Sequence, residues 1–156
     1  MKTCLLYASV LLSVIAMVDL AVADVAPAAA MTRSIPVATT FDVVHTVATD
    51  AGGISDKLKK YGKYLRRAGS DHWKLESRKQ TKPVPGTPKT VALPGKLGKA
   101  IISLDAKGVA TVKILDNGGK SLGSYRSSRF PLVIANQRLR INGKPYVLIL
   151  DRPKKK

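Results

Sequence analysis

In the second half of the chain, apolar residues come in short runs separated by turn residues. Ala100-Ile101-Ile102-Ser103-Leu104 is followed by Asp105-Ala106-Lys107-Gly108, and residues 109–115 (VATVKIL) by Asp116-Asn117-Gly118-Gly119. Residues 122–125 and Leu132-Val133-Ile134 are shorter runs of the same kind. In residues 138–150 (RLRINGKPYVLIL), Arg138 and Arg140 alternate with Leu139 and Ile141, and Asn142-Gly143 sits between two β-rich runs. Both turn residues tolerate the positive φ of a type I′ hairpin. Closely spaced turns predict about five short antiparallel strands in a small sandwich or barrel-like sheet. There is no room for helices between them, so βαβ units are excluded.

The pattern changes upstream. In residues 54–67, Ile54, Leu58, Tyr61 and Leu65 recur at helical spacing, while Lys57, Lys59, Lys60, Lys63, Arg66 and Arg67 cover the remainder. Ser55 or Asp56 can cap this segment and Gly69 can stop it, so the spacing predicts one short basic amphipathic helix. Residues 24–53 are Ala-, Pro- and Thr-rich at their start and β-branched near their end, and they read as a loose leader to the mature chain. Residues 79–94 hold Pro83, Pro85, Pro88 and Pro94 with Lys79, Lys82 and Lys89, and they read as a linker. The expected organisation is a signal peptide (1–23), a disordered stretch (24–53), a basic helical segment (54–78), a linker (79–94), a β-rich domain (95–151) and a basic tail (152–156).

The signal peptide is read from Lys2, an apolar run from Cys4 to Val18, and the small-residue end Ala21-Val22-Ala23. The run is short for a membrane span, and Asp19 interrupts it, so no transmembrane segment is expected. Cleavage after Ala23 would remove Cys4, the sole cysteine. An exported chain without disulfides fits a protein whose final place of work is reducing, or one stable without such bridges.

Lys and Arg number 27 against 10 acidic residues, a net charge of +17, and the leader takes away one charge of each sign, Lys2 and Asp19. Such a chain is drawn to polyanions: nucleic acid, anionic lipid or acidic polysaccharide. Aromatic residues make up only 5%, too few for a base-stacking platform. Catalysis has little to draw on. The histidines, His45 and His72, precede the predicted β-domain, whose carboxylates Asp105, Asp116 and Asp151 flank turns or strand ends. No Gly-rich phosphate loop opens a helix, and no cysteine is left for zinc or nucleophilic work. Neither enzymatic activity nor a cofactor or metal is expected.

The remaining feature is Lys63-Tyr64-Leu65-Arg66, followed by Glu76-Ser77-Arg78. A signal peptide, a low-complexity stretch, an Arg-X-Leu-Arg motif and a nearby acidic Glu-Glu-Arg motif describe oomycete secreted effectors of the RXLR class. The layout here resembles theirs, with Lys63 in place of the first Arg and Glu76-Ser77-Arg78 a partial match to the acidic motif. The resemblance covers the N-terminal half; the β-rich C-terminal half departs from the helical bundle common in that family. It implies delivery into a host cell, a role for residues 63–66 in entry through proteolytic maturation or binding of an anionic phospholipid, and suppression of host defence or cell death through a host protein or nucleic acid. Arg152 with Lys154, Lys155 and Lys156 is a candidate nuclear signal or polyanion contact, so nucleus and cytoplasm are the expected destinations. The competing expectation is an extracellular cationic protein that binds anionic membrane or polysaccharide.

Overall fold

The computed structural model describes residues 39–153. The predicted leader, the loose segment up to residue 38 and the lysines Lys154, Lys155 and Lys156 lie outside the described residues.

Eight strands form two antiparallel sheets: β1 (Phe41–Ala48), β2 (Trp73–Thr81), β3 (Lys89–Ala92), β4 (Lys99–Leu104), β5 (Ala110–Leu115), β6 (Ser121–Ser127), β7 (Leu132–Ile141) and β8 (Lys144–Asp151). The first sheet has the order β2-β1-β8-β7 and the second β3-β4-β5-β6. The two pack face to face as a sandwich. Phe41, Val43 and Val47 of β1 and Leu148 and Leu150 of β8 meet Ala100, Ile102, Val112 and Ile114 of the second sheet in one buried cluster. Between β1 and β2, a 3₁₀ stretch (Asp56–Tyr61) runs directly into helix α1 (Gly62–Arg67). Leu58, Tyr61 and Leu65 pack from there against Val44, Trp73, Val147 and Ile149 on the outer face of the first sheet.

The apolar runs of the second half become β4 to β8, as their pattern predicts. Asn142 (φ 51) and Gly143 (φ 77) both adopt the positive φ of the predicted hairpin turn, and Ile141 pairs with Lys144 across it. The helical segment also lies where its period puts it, although its first part winds as a 3₁₀ helix. Ser55 makes no side-chain cap bond there.

Three segments differ from expectation. Residues 41–48, read as the end of a loose leader, form β1, which lies between β2 and β8 and is buried at every position. A strand covered by the second sheet on one face and by α1 on the other needs apolar residues on both, so it lacks the alternation that marks a half-exposed strand. Trp73 to Thr81, including the partial acidic motif, is not the tail of a helical segment but edge strand β2, antiparallel to β1. The expected linker over residues 79–94 contains β3, whose Val91 points into the sandwich core beside Leu93. The prolines there shape turns between strands instead of separating domains, and Pro83 is itself buried. The β-domain therefore does not begin near residue 95; it takes in the chain from Phe41 onward.

Candidate polyanion-binding surface

The motif residues divide by the geometry of the helix that carries them. Leu65 is wholly buried and belongs to the cluster that seals α1 to the first sheet. Tyr64 is half-buried, and the Lys63 Nζ lies 4.9 Å from its ring centroid. Lys63 and Arg66 are exposed, and neither makes an ion pair among the described residues. Both line an open cleft of about 470 Å³, together with Lys59, Gly53, Ile54, Gly62 and Asp71. Lys59, Lys63 and Arg66 stand at i, i+4 and i+7, one face of a helix. Lys59 was not singled out from the motif alone, but its spacing carried the signal.

The charges at this cleft are unevenly balanced. Lys59 meets Asp56 at 2.8 Å, and both side chains are largely exposed, so the pair adds little stability. The hydrogen bond and charge of that neighbour hold the Asp56 carboxyl below its usual range. Asp71 is the one carboxylate on the lining. A phosphate, sulfate or carboxylate placed in the cleft would meet the ammonium of Lys63 and the planar donor fork of Arg66, which suits oxyanions in particular.

Lys60 is not part of this constellation. Its Nζ donates to Asp151 Oδ2 at 2.8 Å, and Tyr61 Oη donates to the same oxygen at 2.7 Å, which ties the helical segment to the end of β8. Burial opposes the ionisation of Asp151, but these two bonds outweigh it and hold its carboxyl below the usual range.

Glu76, Ser77 and Arg78 lie along β2, none of them on the cleft lining, so the structure does not join the two motifs in one site. Glu76 stands 3.6 Å from Lys74, and Arg78 stands 4.0 Å from Asp42. Arg152 also differs from the free tail cation expected of it. Its guanidinium lies 4.5 Å from the Phe130 ring centroid and 5.5 Å from that of Phe41, and it donates to the Gly108 carbonyl at 3.0 Å. It braces the closing edge of the sandwich.

The histidines are corrected in position as well. His45 belongs to β1, inside the sandwich, where it is 1% exposed. Its Nδ1 is 2.6 Å from Tyr146 Oη, and its Nε2 is buried with no hydrogen-bond partner among the described residues. Burial, reinforced by the charge of Lys79 and only partly offset by Glu76, lowers its pKa to about 4. His72 accepts the backbone N–H of Gly53 at 2.9 Å and so helps close the loop before the helix. Asp105 and Asp116 each accept backbone N–H groups within their own turns.

No cluster of three or more His, Cys, Asp or Glu suited to a metal occurs among the described residues, and no helix there is long and apolar enough to cross a membrane. Neither a family model, a curated protein nor a solved structure matches this chain.

Proposed function

We propose that this protein is a secreted effector that works inside a host cell by binding an anionic host macromolecule, without catalysis. The observation that carries the reading is the cationic cleft, which Lys63 and Arg66 both line, neither of them in an ion pair among the described residues. Exposed lysines on both sheets, among them Lys79, Lys99 and Lys113, extend the positive surface beyond it. Three features of the sequence support the intracellular part: the leader-like residues 1–23, the loss of Cys4 with that leader, and the position of Lys63-Tyr64-Leu65-Arg66 behind a low-complexity stretch. Suppression of host defence or cell death follows from the resemblance to RXLR-class effectors. The nucleus is the proposed main destination, because a strongly basic small protein is retained on nucleic acid.

The test is expression of tagged residues 24–156 in plant cells, with nuclear signal and salt extraction measured for the parent, for Lys63→Gln/Arg66→Gln and for a chain ending at Pro153. The parent is expected in the nucleus and released by salt. In binding to a duplex nucleic acid, the double variant is expected to lower the slope of log K against log salt by about 2, roughly one per phosphate contact removed. Exclusion of the parent from the nucleus would sink the proposal.

One observation favours a second reading. Leu65 is part of the core, so cleavage at residues 63–66 would have to break the folded body, which speaks against shedding of this segment after delivery. A cationic protein acting outside cells on anionic membrane or acidic polysaccharide would keep such a surface. Retention of the applied protein at the host cell surface, with no intracellular signal, would select it.

A further inference from the structure

The longest break in either sheet lies in β7. Ala135 pairs with Val147 and Arg140 with Pro145, so Asn136, Gln137, Arg138 and Leu139 all face the single residue Tyr146. The other irregularities, in the β1–β2 and β5–β6 pairings, each leave out one residue. A bulge of this size opens the sheet, and such bulges are common where a strand is re-aimed towards a ligand. Here it creates a notch of about 200 Å³ between β7, β8 and the end of α1.

The notch has an apolar floor and a cationic rim. Ala68, Ala135 and Pro145 contribute to the floor, while Arg67 from α1 and Arg140 from β7 stand on the lining, with no carboxylate among the lining residues. Neither arginine makes an ion pair among the described residues. Arg140 is braced in place: its Nε donates to the Gln137 carbonyl at 3.2 Å and its Nη1 to that of Gly143 at 2.9 Å, leaving Nη2 open. The bulge itself is fixed from below. Asn136 Nδ2 donates to Tyr125 Oη at 3.0 Å and to the Leu122 carbonyl at 3.2 Å, and its Oδ1 accepts the Arg138 N–H at 2.9 Å. The opening is thus part of the ordered fold, held by bonds that a regular ladder would not need.

We propose that this notch captures the C-terminus of a partner polypeptide ending in an apolar residue. Its side chain would rest on the floor of Ala68, Ala135 and Pro145 and its carboxylate would meet the guanidinium groups of Arg67 and Arg140. Two observations select that occupant. The volume is below the roughly 300 Å³ at which pockets for cofactors and drug-sized ligands begin, and so fits a single residue better than a nucleotide. The rim carries two arginines and no carboxylate, so its charge suits an anionic group such as a terminal carboxylate, to which the open Nη2 of Arg140 and the Arg67 guanidinium can donate. This site is separate from the Lys63–Arg66 cleft and does not depend on the polyanion reading.

The experiment is an NMR titration of the isotope-labelled chain with N-acetyl-Gly-Leu carrying a free carboxylate, with the same peptide as its C-terminal amide, and with inorganic phosphate. The free-acid peptide is expected to shift the backbone amides of Ala68, Gln137, Leu139 and Tyr146 in a saturable way. Loss of a charged hydrogen bond predicts roughly tenfold weaker binding both for the amide and for Arg67→Gln with the free acid. Arg67→Gln is the informative variant because the Arg67 side chain makes no hydrogen bond or ion pair among the described residues, so its melting temperature should match the parent. Arg67→Gln/Arg140→Gln should abolish the shifts. Equal binding of the amide, displacement of the peptide by phosphate at equal concentration, an unaffected Arg67→Gln, or shifts confined to the Lys59–Arg66 cleft would each overturn the proposal.

Discussion

His45 is the residue whose surroundings have the clearest consequence. Burial drives the Tyr146 phenol pKa upward, and no other acceptor among the described residues takes its proton, so Oη–H donates to His45 Nδ1 and Nε2 carries the ring hydrogen. The groups facing the imidazole are this phenol from β8 and the charges of Lys79 and Glu76 from β2; the buried residues of the second sheet are apolar. Folding lowers the His45 pKa from 6.5 to about 4, so between these values the unfolded chain takes up a proton that the folded chain refuses. Stability is therefore expected to be complete above pH 6.5, to fall as pH drops towards 4, and to lose no more from this group below that. Integrated over that window, the loss is roughly 3 kcal/mol. Urea unfolding at pH 7 and pH 4.5 checks this, with His45→Leu/Tyr146→Phe as the comparison. That variant removes both polar partners together and should flatten the dependence; an equal pH dependence in both proteins would assign it elsewhere.

At the scale of one element, the helical segment joins packing and charge in four consecutive residues. Its apolar period turns Leu58, Tyr61 and Leu65 onto the sheet, and the intervening positions hold Lys63 and Arg66 at the cleft. So short a segment does not persist in water by propensity alone, and docking of this face holds it. Leu65→Ala is expected to destabilise the whole fold by about 2–5 kcal/mol, the range for truncating a fully buried leucine. Lys63→Ala and Arg66→Ala should each stay within about 0.5 kcal/mol of the parent, as exposed substitutions do. Denaturant melts of the three variants separate these roles. The consequence for function is practical: a triple alanine replacement of Lys63, Leu65 and Arg66 would confound loss of delivery with loss of folding, whereas Lys63→Gln/Arg66→Gln tests charge alone.

For the whole molecule, the sheet order decides what can fold. β8 has β1 on one side and β7 on the other, and β1 also supplies Phe41, Val43 and Val47 to the shared core. A fragment of residues 95–151 would expose one edge of β8 and lack β3 from the second sheet. It is expected to show no cooperative thermal melt by circular dichroism, while residues 39–156 should melt sharply. A sharp melt of the shorter fragment at the same temperature would contradict this account. The chain between the helical segment and β4 is thus part of the folding unit, and the basic cleft, the β7 notch and the sandwich core stand or fall together.

What the sequence by itself determined is local. The apolar runs and turn residues of β4 to β8, the Asn142-Gly143 hairpin and the period of Leu58, Tyr61 and Leu65 follow from short-range rules: β4 to β7 and the helical segment set a more polar face against an apolar one, and β8, covered on both faces, is a continuous apolar run marked by the hairpin turn before it. Lys59, Lys63 and Arg66 were legible as one cationic face for the same reason. Tertiary structure decided the rest. Phe41–Ala48 carries no alternation because it is covered on both sides, and Lys89–Ala92 is too short to stand out among prolines. Their identity as strands depends on partners far along the chain, β8 for the one and β4 for the other. The same holds for Arg152, whose role comes from two phenylalanine rings, and for Arg67 and Arg140, which meet at one notch only because a bulge in β7 opens beside the end of α1. Contacts of that kind are set by which surfaces pack together, and no window along the sequence contains both partners.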